Sequence, residues 1–195
     1  MLTQVTRTSG PRRAPVNETQ RGIAQRGFTL MELMVVVAIT GILAALATYG
    51  VRKYTLSAKK AETISMLTQI RGAEEAYIDE MFVYRGGPDL ETWNPTADPT
   101  PDKRSWVPAA SNDMTTALNE LGVQPTGPVY YSYAVVAGVA GDELPEIPGT
   151  WAFTLPDPTG PFYIAMAKGD LNGDGTFTYA LAWSGSAEII VNDTF

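Results

Sequence analysis

A chain of 195 residues, 45% of them hydrophobic, has room for one ordinary domain plus additional segments. It contains no cysteine and no histidine, which excludes disulfides, thiol-ligated zinc or iron–sulfur centres, and any catalytic triad built on the chain's own histidine. The formal charge of −7 divides into +4 over residues 1–27 and −11 over the remainder, and an acidic remainder speaks against nucleic-acid binding, which needs a concentrated basic face.

Residues 1–27 are polar, carry Arg7, Arg12, Arg13, Arg21 and Arg26, and show no apolar periodicity. They read as a disordered basic leader. From Phe28 to Tyr49 the only charged residue is Glu32. As a helix this stretch is about 33 Å long at 1.5 Å per residue, which matches the ~30 Å hydrocarbon layer of a bilayer. A helix satisfies its own backbone in lipid, so residues 28–50 are expected to be a transmembrane helix. The arginines before it place the N-terminus in the cytoplasm by the positive-inside rule, and the acidic C-terminal part outside the inner membrane.

Residues 51–85 are expected to continue the helix in amphipathic form. No Pro and only Gly72 occur between positions 52 and 84. Met66, Leu67, Ile70, Ala73, Tyr77, Ile78 and Met81 recur at helical spacing, with Glu62, Ser65, Glu75 and Asp79 opposite. Gly50 could weaken the helix locally, but no Pro forces a break. The Arg85-Gly86-Gly87-Pro88 run supplies the stop, so one rod of up to ~57 residues, on the order of 85 Å, is expected.

Residues 86–195 form the C-terminal head. Its first part is rich in Pro, Asp, Thr and Asn, with a short helical candidate from Asn112 to Leu121. Strand chemistry follows at Val129–Val136, Trp151–Leu155, Phe162–Lys168, Thr176–Ser184 and Ala187–Val191. In the fourth of these Phe177, Tyr179, Leu181 and Trp183 share one face. The expected fold class is α+β: the long N-terminal helix packed on an antiparallel sheet of about four strands, the apolar sheet face against the amphipathic half-helix. The tryptophans and tyrosines read as core, and the neighbouring pairs Glu74-Glu75 and Asp142-Glu143 as solvated surface. No residue set resembles an enzyme site.

The motif Gly27-Phe28-Thr29-Leu30-Met31-Glu32 leads directly into the apolar run. A secretory signal loses its apolar core at a small-residue site downstream of it; here the small residue precedes the core. An uncleaved signal anchor holding a periplasmic binding domain is the alternative reading. The stretch resembles the prepilin signature of type IV pilins and type II secretion pseudopilins, closely over residues 22–70 and loosely in the layout beyond. Gly41 also fits that pattern.

The resemblance implies cleavage between Gly27 and Phe28 by a membrane aspartic peptidase on the cytoplasmic side, with Gly27 the only residue small enough for its subsite. It implies N-methylation of the new amine on Phe28. It further implies extraction by an inner-membrane assembly platform into a filament of identical or related subunits, bundled through their N-terminal helices. A carboxylate near the end of a membrane helix is costly and usually paired. Glu32 is therefore read in two ways: snorkelling into the headgroups, or pairing with the Phe28 amine of a neighbouring subunit and so setting axial register.

The second motif is Gly169-Asp170-Leu171-Asn172-Gly173-Asp174-Gly175-Thr176. Asp170, Asn172 and Asp174, with Gly175, match the first positions of an EF-hand-type loop, and Thr176 could add its carbonyl. Position 12 would be Leu181, which supplies no bidentate carboxylate. Asn172-Gly173 and Asp174-Gly175 are equally good hairpin-turn pairs. A plain turn and a Ca²⁺ site both stand at this point, and some pseudopilins hold calcium in a C-terminal loop.

Overall fold

The computed structural model describes Gly10 and residues 27–106 and 113–192. The basic leader lies outside the described residues except for Gly10 and Gly27. The chain divides into two compact units, Met1–Ala45 and Leu46–Phe195.

The first unit, as far as it is described, is the beginning of helix α1 (Leu30–Met81). Residues 27–45 are exposed throughout. Three consecutive valines, Val35 to Val37, are modest helix formers. They are helical here, and the helix pairs their backbone groups internally. Thr40 hides its own polarity by donating its hydroxyl to Val36 O at 2.9 Å and Val37 O at 3.1 Å. Among the described residues α1 is the one helix long and apolar enough to cross a membrane.

The second unit contains the rest of α1, helix α2 (Asp113–Glu120), and strands β1 (Ser132–Gly138), β2 (Phe162–Gly169), β3 (Thr178–Trp183) and β4 (Ile190–Asn192). Tyr49 and Gly50 are helical, so the missing Pro does leave the helix unbroken. The sheet is an antiparallel meander in the order β1-β2-β3-β4. This is the expected α+β class.

Several expected boundaries move. Helix α1 ends at Met81 rather than at Tyr84, and Phe82 takes a left-handed φ of 63° while its N–H still donates to Ile78 O at 2.8 Å. The reason lies downstream. Gly86 and Gly87 run against the edge of β1, where Gly87 N–H donates to Val135 O at 2.7 Å. A Cβ on Gly86 would collide with the backbone of Ala137, and one on Gly87 with the Met114 side chain. The chain must therefore leave the helix axis before it reaches the glycines.

Helix α2 matches its candidate, although Asn112 lies outside the described residues. It closes with Gly122 at φ 69°, Gly122 N–H to Asn119 O at 2.9 Å and Val123 N–H to Leu118 O at 2.9 Å. That is a Schellman stop. Val129 pairs with Arg104 ahead of β1.

Trp151–Leu155 is not a strand. Trp151 instead donates Nε1–H to Pro148 O at 2.9 Å and stacks edge-on against Phe153 at 5.6 Å. Pro148, Pro156 and Pro158 around it cannot donate to a ladder, so the segment covers the sheet without joining it.

The register decides which sheet face packs on the helix. Register places Tyr133, Ala167 and Ala180 on one side of the sheet, with Val135, Ala165, Ala182 and Tyr163. Tyr133 meets Thr63 of α1, and Tyr163 meets Arg71 of α1. The alanine-rich face thus receives the helix, whose Met66, Leu67 and Ile70 are at most 4% exposed. The Tyr179, Leu181 and Trp183 face lies under loops instead, where Leu144 and Leu155 line a groove with Ile164 and Trp183. Small residues suit the helix side because they let a bulky helix seat closely.

Two acidic assignments change with it. Glu74 is fully buried, not surface. Glu62 is half-buried and accepts Tyr130 N–H at 2.7 Å, with Lys103 Nζ at 3.5 Å.

Candidate functional site

Gly27 and Phe28 are non-helical and exposed, Phe28 at 89%. A Cβ placed on Gly27 would meet nothing within 4 Å. The chain's own packing therefore makes no demand for glycine at this position. A requirement for the smallest residue would have to come from a molecule that acts on the Gly27–Phe28 bond.

Immediately after that bond the sequence starts a helix. Thr29 is the N-cap: Glu32 N–H donates to Thr29 Oγ1 at 3.2 Å. Glu32 replies, its Oε2 accepting Thr29 N–H at 2.9 Å and the Thr29 hydroxyl at 2.9 Å. Leu33 N–H closes the first turn on Thr29 O at 3.2 Å. This is a capping box, in which two N-terminal donors are satisfied reciprocally. The sequence reading assigned Glu32 only to headgroups or to a neighbouring subunit. The Thr-x-x-Glu spacing of Thr29-Leu30-Met31-Glu32 is the local sequence signal for this capping box.

The box explains how an acidic group is tolerated at the head of an apolar helix. The carboxylate accepts two hydrogen bonds within its own turn and sits at the positive end of the helix dipole. It also fixes where the helix begins. Gly27 and Phe28 are kept outside it, so the peptide bond between them stays in open, non-helical backbone. A free amine on Phe28 would arise one residue from Thr29 N, the atom that Glu32 already holds.

The second candidate lies in unit two, between β2 and β3. Asp170, Asn172, Asp174 and Thr176 are gathered in one loop. Asp170 Oδ1 accepts Gly173 N–H at 2.7 Å, and Oδ2 accepts Gly175 N–H at 3.2 Å. Asn172 Oδ1 accepts Asp174 N–H at 3.3 Å and its amide donates to Asp174 Oδ2 at 2.8 Å. Asp174 Oδ1 accepts Thr176 N–H at 2.7 Å, and these bonds hold the Asp174 carboxyl below its usual range. Gly173 and Gly175 take φ of 78° and 80°, conformations that side chains rarely adopt. Every carboxylate and amide oxygen of the three side chains thus accepts a hydrogen bond from the loop itself. Among the described residues no group of three or more His, Cys, Asp or Glu is placed to hold a metal ion.

Comparison with known proteins returns to the first site. The family described as "Prokaryotic N-terminal methylation motif" matches residues 23–48. The chain is 46% identical over 57 residues to a fimbrial protein of Pseudomonas aeruginosa, covering 29% of this chain and 37% of that one. It is 33% identical over 104 residues to a type IV major pilin protein of Neisseria gonorrhoeae, covering 51% and 56%. It is 32% identical over 126 residues to the type IV major fimbrial protein FimA of Dichelobacter nodosus, covering 63% and 74%. The chain thus spans less than two thirds of the length of the first two relatives and nearly three quarters of the third. No solved structure matches it. A methylation motif set on a capped apolar helix, an α+β head, and likeness to a fimbrial subunit over most of that subunit's length lead to one conclusion: the chain belongs to the type IV pilin family.

Proposed function

We propose that the chain is made as a prepilin and serves as a structural subunit of a type IV pilus-like or type II secretion pseudopilus filament, not as an enzyme. The observation that carries this reading is the arrangement at residues 27–32. An exposed Gly27–Phe28 bond stands directly before a capped helix whose apolar first part is exposed throughout, within the segment that the methylation-motif family matches.

In this reading a prepilin peptidase cuts after Gly27 and methylates the amine of Phe28. The subunit waits in the inner membrane on one span, its former leader side cytoplasmic and its head periplasmic. An assembly platform then draws it into the filament. Residues that face lipid in the waiting subunit, such as Leu33, Val36, Leu43 and Leu46, become helix–helix contacts with sister subunits. Each subunit offers different patches up and down, so growth is open and helical rather than a closed ring. Glu32, released from Thr29 or shared with it, pairs with a Phe28 amine of a neighbour and sets the axial step.

The mass of the N-terminal peptide of membrane-extracted protein tests the reading. A peptide beginning with N-methyl-Phe28 is expected. A product still carrying residues 1–27 overturns processing and leaves an uncleaved, signal-anchored periplasmic domain.

A further inference from the structure

Between Glu32 and Glu62 the chain carries no acidic residue, and its basic residues in that interval, Arg52, Lys53, Lys59 and Lys60, fall within nine positions. The far side of a membrane span is normally kept poor in Lys and Arg. Basic residues directly after the apolar run oppose the orientation set by the leader, so they call for a reason.

The head supplies one for Lys59. Its ammonium donates to Pro101 O at 3.2 Å and Leu171 O at 3.1 Å, and lies 4.4 Å from the centre of the Tyr130 ring. Lys60 is half-buried on the next position. Arg52 and Lys53 are different. Both are exposed, and they stand between Tyr49, 72% exposed, and Tyr54, 77% exposed. Among the described residues no hydrogen bond or ion pair ties these four residues to the head, although Arg52 borders the groove that Lys59, Leu171 and Asn172 line.

Depth accounts for them. On a helix Arg52 and Lys53 stand about 4.5–6 Å past Tyr49, near the end of the apolar run. The polar layer on each side of the hydrocarbon core is roughly 5–8 Å thick. Arg52 and Lys53 therefore fall inside that layer, whereas Lys59 and Lys60, about 15–17 Å past Tyr49, lie beyond it. The geometry points to Arg52 and Lys53, with the Tyr49 ring one turn before them and Tyr54 further round the helix, as a binding site for the phosphate headgroups of anionic phospholipids at the C-terminal end of the span.

The guanidinium fork and the ammonium take phosphate oxygens. The phenols, apolar in body and polar at the tip, suit the boundary between chains and headgroups. Residues 61–195 carry a formal charge of −14, so the head is repelled by the surface that the two cations grip. A subunit leaving the bilayer must give up these phosphates, and membrane charge thereby sets its resistance to extraction. The inference rests on the membrane-anchored reading above.

The absence of cysteine allows a single donor label at the exposed position of Ser57→Cys. The labelled full chain is reconstituted in phosphatidylcholine bilayers doped with acceptor-labelled phosphatidylglycerol. Energy transfer should show phosphatidylglycerol enriched around the parent on the order of tenfold over an R52Q/K53Q double variant. The enrichment should fall in 1 M salt, where the Debye length is about 3 Å, and survive in R52K/K53R.

Equal transfer for parent and double variant overturns the site. So does unchanged lipid transfer together with loss of carbodiimide cross-links between copies, which assigns the cations to the acidic head of a second copy. Flotation with pure phosphatidylcholine vesicles keeps the two readings apart. A chain that does not float has no span; one that floats without preferring phosphatidylglycerol keeps its span and lacks the lipid site.

Discussion

The Glu74 carboxylate, two turns before the end of α1, accepts the backbone N–H of Arg85 at 2.8 Å. That bond spans the turn at Phe82 and ties the chain after the helix back to the helix itself. The acid is fully buried, and its other oxygen has no hydrogen-bond partner. Burial pushes its pKa up to about 8 from 4.5, with the Arg85 bond pulling the other way.

Stability of the head should therefore fall as pH rises. Between pH 4.5 and 8 the folded chain keeps a proton on Glu74 that the unfolded chain has released, so the linkage slope is negative there and the loss is complete above about 8. Thermal unfolding in detergent from pH 5 to pH 9 measures it. Glu74→Gln should match the parent near pH 5 and unfold roughly 5 °C or more higher at pH 9. A parent midpoint that rises with pH over this range would refute the buried-acid account.

Thr29→Ala should cost about 1 kcal/mol of helix-start stability, because the box loses its side-chain acceptor and one donor. Amide exchange at Leu30 to Leu33 should accelerate several-fold, with the head unchanged. Thr29→Ser keeps both roles and should restore the parent rates.

Gly27→Ala should separate folding from processing. Open space surrounds the position, so the spectrum and unfolding midpoint should be those of the parent. Conversion to a chain beginning at Phe28, followed by gel shift in cells with a prepilin peptidase, should fall at least tenfold. Normal conversion would show that the glycine is not read by the peptidase.

Ala180→Leu tests which sheet face carries the helix. Ala180 is fully buried and shares its face with Tyr133, which meets Thr63 of α1. Extra methyl groups there should cost about 1–3 kcal/mol by wedging α1 from the sheet. Phe177→Leu, beside Lys168 on the loop side, should cost less than half as much.

Asp170→Ala should destabilise the β2–β3 connection by about 1–3 kcal/mol, since it strands the N–H groups of Gly173 and Gly175. The loop closes on its own hydrogen bonds without a cation, so a plain turn predicts that unfolding curves in millimolar Ca²⁺ and in chelator superimpose. A midpoint raised by Ca²⁺, and no longer raised in Asp174→Ala, would instead establish the cation site.

The sheet was legible because β2 and β3 alternate large residues with alanines between glycine-containing turns, and the helix because nothing between Phe28 and Met81 breaks it. Trp151–Leu155 misled because alternation reports a covered face and not a ladder partner. The processing motif was legible since its residues are contiguous and local. The capping box was equally local, so its spacing could have been read from the sequence.

The sequence by itself determined the apolar span, the start of the helix and the Gly27–Phe28 junction, because each depends on neighbours within a few residues. Only the tertiary structure decided that the face holding Ala167, Ala180, Tyr133 and Tyr163, and not the Tyr179–Trp183 face, receives the helix, that Glu74 is buried, and where α1 stops. Those outcomes depend on residues tens of positions apart, such as Val135 meeting Gly87 and Tyr163 meeting Arg71. Local periodicity marks a face as apolar; which partner covers it is set by the packing of the whole head.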